Sequence, residues 1–156
     1  MTLLPFFQWC EASAVGTAIR GSLWLFPVIE AFHLMAFAFI GGAILVVDLR
    51  LLGVALRREP PGELSRDAQP WLLGGLAVMV PTGTLLFLSE SVKCYYSNPF
   101  WVKMTALFFA IIFTFTVRRK VAAAGEAPYW GRAVALISIV LWSTVAWGGR
   151  WIGFSG

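Results

Sequence analysis

Three ionisable side chains sit inside apolar stretches of this sequence. Glu30 and His33 lie in a run of Leu, Phe, Ile and Ala, and Lys103 lies in another. A charged residue at the centre of a membrane-spanning helix costs about 2.5–3.5 kcal/mol on insertion scales, so each needs a reason. The i, i+3 spacing places Glu30 and His33 on one helix face. His33 is the only histidine in the chain. An imidazole there can be an axial ligand to haem or another metal, a proton carrier coupled to Glu30, or a hydrogen-bonded tie between helices. In the first role Glu30 would orient the ring or relay a proton.

Other residues extend the haem reading. Arg20, Lys103 and Arg150 fall at expected outer helix ends, on the His33 side, and together could neutralise the two propionates of a haem. Basic residues that merely snorkel to lipid headgroups would be placed the same way. Met79 falls at a depth similar to His33, and a thioether can be the sixth ligand of haem iron, although plain packing is the commoner use of such a Met. Pro81 then removes a backbone hydrogen bond, with Thr82, Gly83 and Thr84 following. Such a kink is tolerated where it packs on protein or lines a cavity. Asp48 and Arg50 do not share a face at i, i+2, so Asp48 is expected to meet a cation from another helix, cap a neighbour, or simply end the span.

Many enzyme classes lack their parts. The sequence has no GxSxG, no P-loop and no GxGxxG after a strand, and one His cannot form an HExxH zinc pair. A single Glu-x-x-His unit is half of a carboxylate-bridged di-iron site.

The elements that must position these residues follow from composition. Of 156 residues 59% are hydrophobic and only 13% charged, against about 45–50% and about 25% in soluble domains. The expectation is an all-α integral membrane protein of one domain, 1–156, with the lipid bilayer as its first partner. Four stretches reach the length of about 20 residues that a bilayer requires, roughly 23–47, 71–89, 100–117 and 132–149. Asn98 is expected to cap the third, with Pro99 at its first helical position. Short connections favour an antiparallel four-transmembrane-helix bundle. Residues 3–20 have a helix-like apolar period and read as a short amphipathic surface helix, or as an extra helix packed on the bundle.

Arg50, Arg57, Arg58 and Arg66 follow the first span, and Arg118, Arg119, Lys120 and Arg132 separate the last two. Short Lys- and Arg-rich loops stay in the cytoplasm, so both termini are expected to be periplasmic in a bacterial inner membrane. The net charge of +4 is explained by that topology without a nucleic-acid partner. Trp24, Trp71, Trp101, Trp130, Trp147 and Trp151 fall near expected span ends, where indole rings prefer to sit. Met1-Thr2-Leu3-Leu4-Pro5 lacks a signal-peptide pattern and is expected to remain in the mature protein. Cys10 and Cys94 both fall on the outer side, where they could be bridged or remain separate thiols.

The segment Phe32-His33-Leu34-Met35-Ala36-Phe37-Ala38-Phe39-Ile40-Gly41-Gly42, with Phe100-Trp101-Val102-Lys103-Met104 some way after it, resembles two groups of small bacterial helical membrane proteins. These are the HemJ-type protoporphyrinogen oxidases, as more distant relatives, and the copper-resistance D-type membrane domains. Small four-span bacterial proteins share the His-Leu opening, the Asp48-Leu49-Arg50-Leu51-Leu52-Gly53 run and the Asn98-Pro99-x-x-x-Lys103 segment. The resemblance implies b-type haem on His33 with Lys103 near the same site. Porphyrinogen oxidation is not implied, because the oxidase pattern is departed from: no second His is present, and the Asp48-Leu49-Arg50 run is not part of it.

The function expected from the sequence is therefore a b-type haem protein of electron transfer, possible membrane oxidoreductase, working with a quinone or a respiratory complex and as a homo-oligomer. Two alternatives stand beside it. One is proton-coupled or metal-ion transport through Glu30, His33 and Asp48. The other is a structural accessory subunit of a membrane complex.

Overall fold

The computed structural model describes residues 2–125 and 128–154, which form helices with no strand among them. Two short helices, α1 (Leu4–Glu11) and α2 (Ala14–Gly21), precede the long α3 (Leu25–Leu52) and α4 (Pro61–Ser89). The short α5 (Ser91–Tyr96) leads to α6 (Asn98–Ala123) and α7 (Pro128–Ile152). The long helices α3, α4, α6 and α7 are each long and apolar enough to cross a membrane.

Local chemistry sets the ends. α3 stops where Gly53 adopts φ +74°, the left-handed conformation that glycine enters without steric cost. Pro61 opens α4, where its missing N–H would have been unpaired anyway. α4 starts ten residues before the apolar stretch that marks it in the sequence, because Glu63, Arg66 and Asp67 continue the same helix. α6 begins at Asn98, so the residue before the helix is Ser97 and not Asn98 as expected. The N-terminal segment is two helices, not one. Ser13 ends the first and caps the second by accepting from the Gly16 N–H at 3.1 Å.

α3 packs on α4 and α7, and α6 packs on α7. Contacts fix the register. Gly75 lies against Ile40, Gly83 against His33, Gly131 against Leu51, Gly62 against Ala122 and Ala123, and Gly148 against Lys103. The buried seam of α6 is Ala106, Ala110, Thr114 and Arg118, one residue every turn. Its outer face carries Phe108, Phe109 and Ile112, all exposed. Small side chains inside and large apolar ones outside invert the usual soluble pattern, in which an amphipathic helix turns its apolar stripe inward. α1 and α2 pack on one end of this assembly through Phe7, Cys10, Gly16 and Ile19. That is the packed-helix reading of the N-terminal segment.

The other end is held by a buried ion pair. Asp48 on α3 is fully buried and accepts from Arg118 Nε at 2.7 Å. Arg118 Nη2 also donates to the Ile44 carbonyl at 2.8 Å. Residues Thr114–Arg118 form a π-turn inside α6, the kind of local widening that re-aims side chains in a helix. One turn earlier, Trp142 Nε1 on α7 donates to Thr114 Oγ1 at 3.1 Å. The Ser138 hydroxyl, also on α7, stands beside the Asp48 carboxylate. α3, α6 and α7 are thus tied at one level.

Removing one member of such a pair strands a buried charge, at about 3–5 kcal/mol, whereas replacing both with apolar residues often costs little. Arg118→Leu is therefore expected to lower stability by about that amount. The double change Asp48→Leu with Arg118→Met should restore most of it. Thermal and denaturant unfolding of the detergent-purified proteins measures this, and a double variant no better than the single one would contradict it.

Candidate functional site

His33 lies in the third turn of α3, half-buried, and faces α4 at Thr82 and Gly83. Its Nδ1 is 3.0 Å from Thr82 Oγ1. The Thr82 hydroxyl also reaches the carbonyls of Val78 at 2.7 Å and Met79 at 3.2 Å. A hydroxyl has one proton to give, and a carbonyl can only accept. If the closest contact, to Val78, takes that proton, the oxygen lone pair is left for His33, Nδ1 carries the ring's proton as donor, and Nε2 is the bare nitrogen.

Gly83 makes this approach possible. A Cβ there would stand 3.0 Å from His33 Cε1 and 3.6 Å from Nδ1, so the imidazole lies against a backbone with no side chain. Gly148 does the same for Lys103: a Cβ at that position would be 3.0 Å from Lys103 Cβ and 3.2 Å from the Pro99 carbonyl oxygen, while one at Gly149 would make ordinary contact with Nζ at 3.5 Å. The Lys103 stem runs along the Gly148-Gly149 pair of α7. Its ammonium makes no hydrogen bond or ion pair among the described residues and is close enough to act electrostatically on His33. A neutral imidazole nitrogen and an unpaired cation therefore share one region. Together they can bind a group that needs a nitrogen donor and carries an acid.

The structure does not bring all the expected residues there. Glu30 is exposed, with no partner among the described residues, and the side chain that meets the His33 ring is Thr82. Met79 does come to His33's level, as its carbonyl lies beside the ring, but its side chain is buried in the core with Ala36, Ile40 and Ala106. Arg20 is committed elsewhere. Its guanidinium donates to the Ser89 carbonyl and the Glu11 carbonyl, each at 2.8 Å, and stands 3.6 Å from the Glu11 carboxylate. Glu11 in turn accepts from the Val92 N–H at 2.6 Å. Arg20 thus holds α1 and α2 to the junction of α4 and α5. Arg150 is exposed and lies over the Phe154 ring, 5.1 Å from its centre.

Thr82 and Gly83 stand next to Pro81 in the sequence, and only the proline signalled them. Arg118 looked like a topological marker and is a buried partner of Asp48. Cys10 and Cys94 are both buried free thiols, not a bridge. Burial, with the Glu90 carboxylate adding to it, pushes the Cys94 thiol up to about 11.

The thiolate is the reactive form, and an ordinary thiol ionises near 8.5. In a Cys10→Ser protein, Cys94 should be alkylated by iodoacetamide on the order of 100-fold more slowly at pH 8 in the folded state than in the unfolded state. The folded-state rate should climb as the pH approaches 11. Rapid folded-state labelling at pH 8 would contradict the burial.

Comparison with known proteins adds a family without an activity. Neither the curated proteins nor the solved structures contain a match to the chain. Residues 6–155 match the model of a family of unknown function. With nearly its whole length matched, the chain belongs to the family of unknown function DUF6644.

Proposed function

We propose that this chain is a b-type haem protein of a bacterial inner membrane, with His33 as the axial ligand, acting in electron transfer. The membrane part of the reading rests on the four long apolar helices and on the many large apolar side chains they expose. Residue contacts pair early positions of each long helix with late positions of its neighbour, as an antiparallel bundle requires. The end that carries Arg57, Arg58, Arg66 and Arg118 to Lys120 faces the cytoplasm by the positive-inside tendency, with both termini outside.

One contact carries the haem assignment: His33 Nδ1 is 3.0 Å from Thr82 Oγ1, and with Nδ1 as the donor Nε2 is left as a lone pair. Hydrogen bonding one ring nitrogen to fix the tautomer and orientation of the other is how ligand histidines are prepared. No group of three or more His, Cys, Asp or Glu side chains stands together among the described residues. A bare ion would need several such ligands, whereas a porphyrin brings four nitrogens of its own and asks the protein for one or two. Residue chemistry therefore fits haem. When bound, it would supply a one-electron couple whose potential is set by ligand identity, hydrogen bonding and local dielectric. Within this chain His33 would hold the iron through a ring nitrogen, Thr82 would set the ring's direction, and Lys103 would offer its amine to a propionate. A quinone or a respiratory complex is the class of redox partner such a membrane protein would serve, and a second copy could complete the coordination.

The transport reading needs Glu30, His33 and Asp48 along one polar route. Asp48 is closed in its ion pair with Arg118, and Glu30 is exposed on the outer face of α3. The haem reading is therefore preferred. The accessory-subunit reading would leave the free Nε2 and the unpaired Lys103 without a purpose.

Visible spectra of detergent-purified protein made with haem precursor, oxidised and dithionite-reduced, test the proposal. Wild type should show a Soret band and reduced α and β bands, and His33→Ala should lose them. Thr82→Val should keep the fold but bind haem about 10–100-fold more weakly, as expected when a ligand's orienting partner is removed. A colourless wild type under haem-replete conditions would overturn it.

A further inference from the structure

The end of the bundle away from His33 holds a second polar concavity, and it does not depend on the haem reading. A small, half-open cleft lies where α3, α4 and α6 meet, lined by Ser65, Gln69, Thr114, Arg118 and Arg119 among its polar residues. Each of these is neutral or cationic, and no carboxylate lines the cleft. Arg118 is only 4% exposed. It spends Nε on Asp48 and Nη2 on the Ile44 carbonyl, so Nη1 has no hydrogen-bond partner among the described residues. Thr114 Oγ1 accepts from Trp142, which leaves its own proton free to donate. Ser65, Gln69 and Arg119 make no hydrogen bond or ion pair among the described residues. Because Asp48 cancels the charge of Arg118, the net positive charge at the cleft comes from Arg119.

We infer that this cleft binds a phosphate oxyanion. Donors from two helices, including a guanidinium edge and three neutral side chains, outnumber the two oxygens of a carboxylate and match the three or four of a phosphate. Depth agrees with this. The apolar run of α6 ends at Val117, so Arg118 and Arg119 stand at the level where hydrocarbon gives way to headgroups. Basic pockets between helices on the cytoplasmic side are suited to anionic lipid headgroups. The same donors would take free phosphate.

The test uses the full chain in mild detergent and compares two probes: phosphatidylglycerol, with phosphatidylcholine as its zwitterionic control, and inorganic phosphate. Native mass spectrometry counts what stays bound to wild type, to Arg119→Gln, to Arg119→Gln with Gln69→Leu, and to Lys93→Gln at the opposite end. Arg118 is left intact so that the ion pair with Asp48 survives. Preferential retention of phosphatidylglycerol is expected, about fivefold weaker in Arg119→Gln and weaker still in the double variant, with Lys93→Gln like wild type. Retention of inorganic phosphate with no lipid preference, again lost in the Arg119→Gln proteins, would assign the site to soluble phosphate. Equal binding of both probes by wild type and the double variant, or no binding of either, would overturn the inference.

Discussion

A carboxylate enclosed on every side has to be met by a cation, and meeting Asp48 decides how three of the four long helices stand. The guanidinium that reaches it comes from Arg118, at the end of a π-turn, and the same group takes the Ile44 carbonyl one turn away on α3. An ordinary α-turn would present this edge of α6 differently, so the widened turn and the ion pair belong together. Once α3 and α6 are fixed at this level, Trp142 ties α7 to α6 through Thr114. The narrow seam of Ala106 and Ala110 then lets the helices approach closely without large interlocking side chains.

This pair and His33 differ in how their surroundings meet them. Both sit in apolar surroundings, where an unmet polar atom is expensive. Asp48 spends one carboxylate oxygen on Arg118, while its Oδ2 and the neighbouring Ser138 hydroxyl have no hydrogen-bond partner among the described residues. His33 is satisfied on one nitrogen only, and Lys103 is accommodated by Gly148 and Gly149 without being neutralised. A chain that needed these two residues only for packing would gain by pairing them as it paired Asp48.

Hydropathy located the four long helices, because an apolar stretch of about 20 residues has few other uses. Their polar ends were not legible, since a helix already propagating carries Glu63, Arg66 and Asp67 at little cost. The Ser13 cap was readable in principle but hidden inside one apparent apolar period. Arg118 could not be assigned to Asp48, because 70 residues separate them and a π-turn shifts the helical register between Thr114 and Arg118. Glu30 was paired with His33 because i, i+3 spacing reports a shared face; it says nothing of which neighbouring helix the ring meets. Thr82 was obscured for a related reason. A Thr inside a helix commonly bonds its own i−4 carbonyl, and here it does so while also receiving His33.

Both ends of the bundle are pinned by groups that would otherwise look functional. Arg20 clasps Ser89 and Glu11 at one end, and Arg118 clasps Asp48 at the other. His33 and Lys103 lie between these two locks, on helices whose relative position is already fixed. A ligand arriving there need not order the helices, so its binding energy is not spent on that entropy. It also meets a ring already held at Nδ1 by Thr82. The locks far from His33 are thus part of what would make a single histidine sufficient.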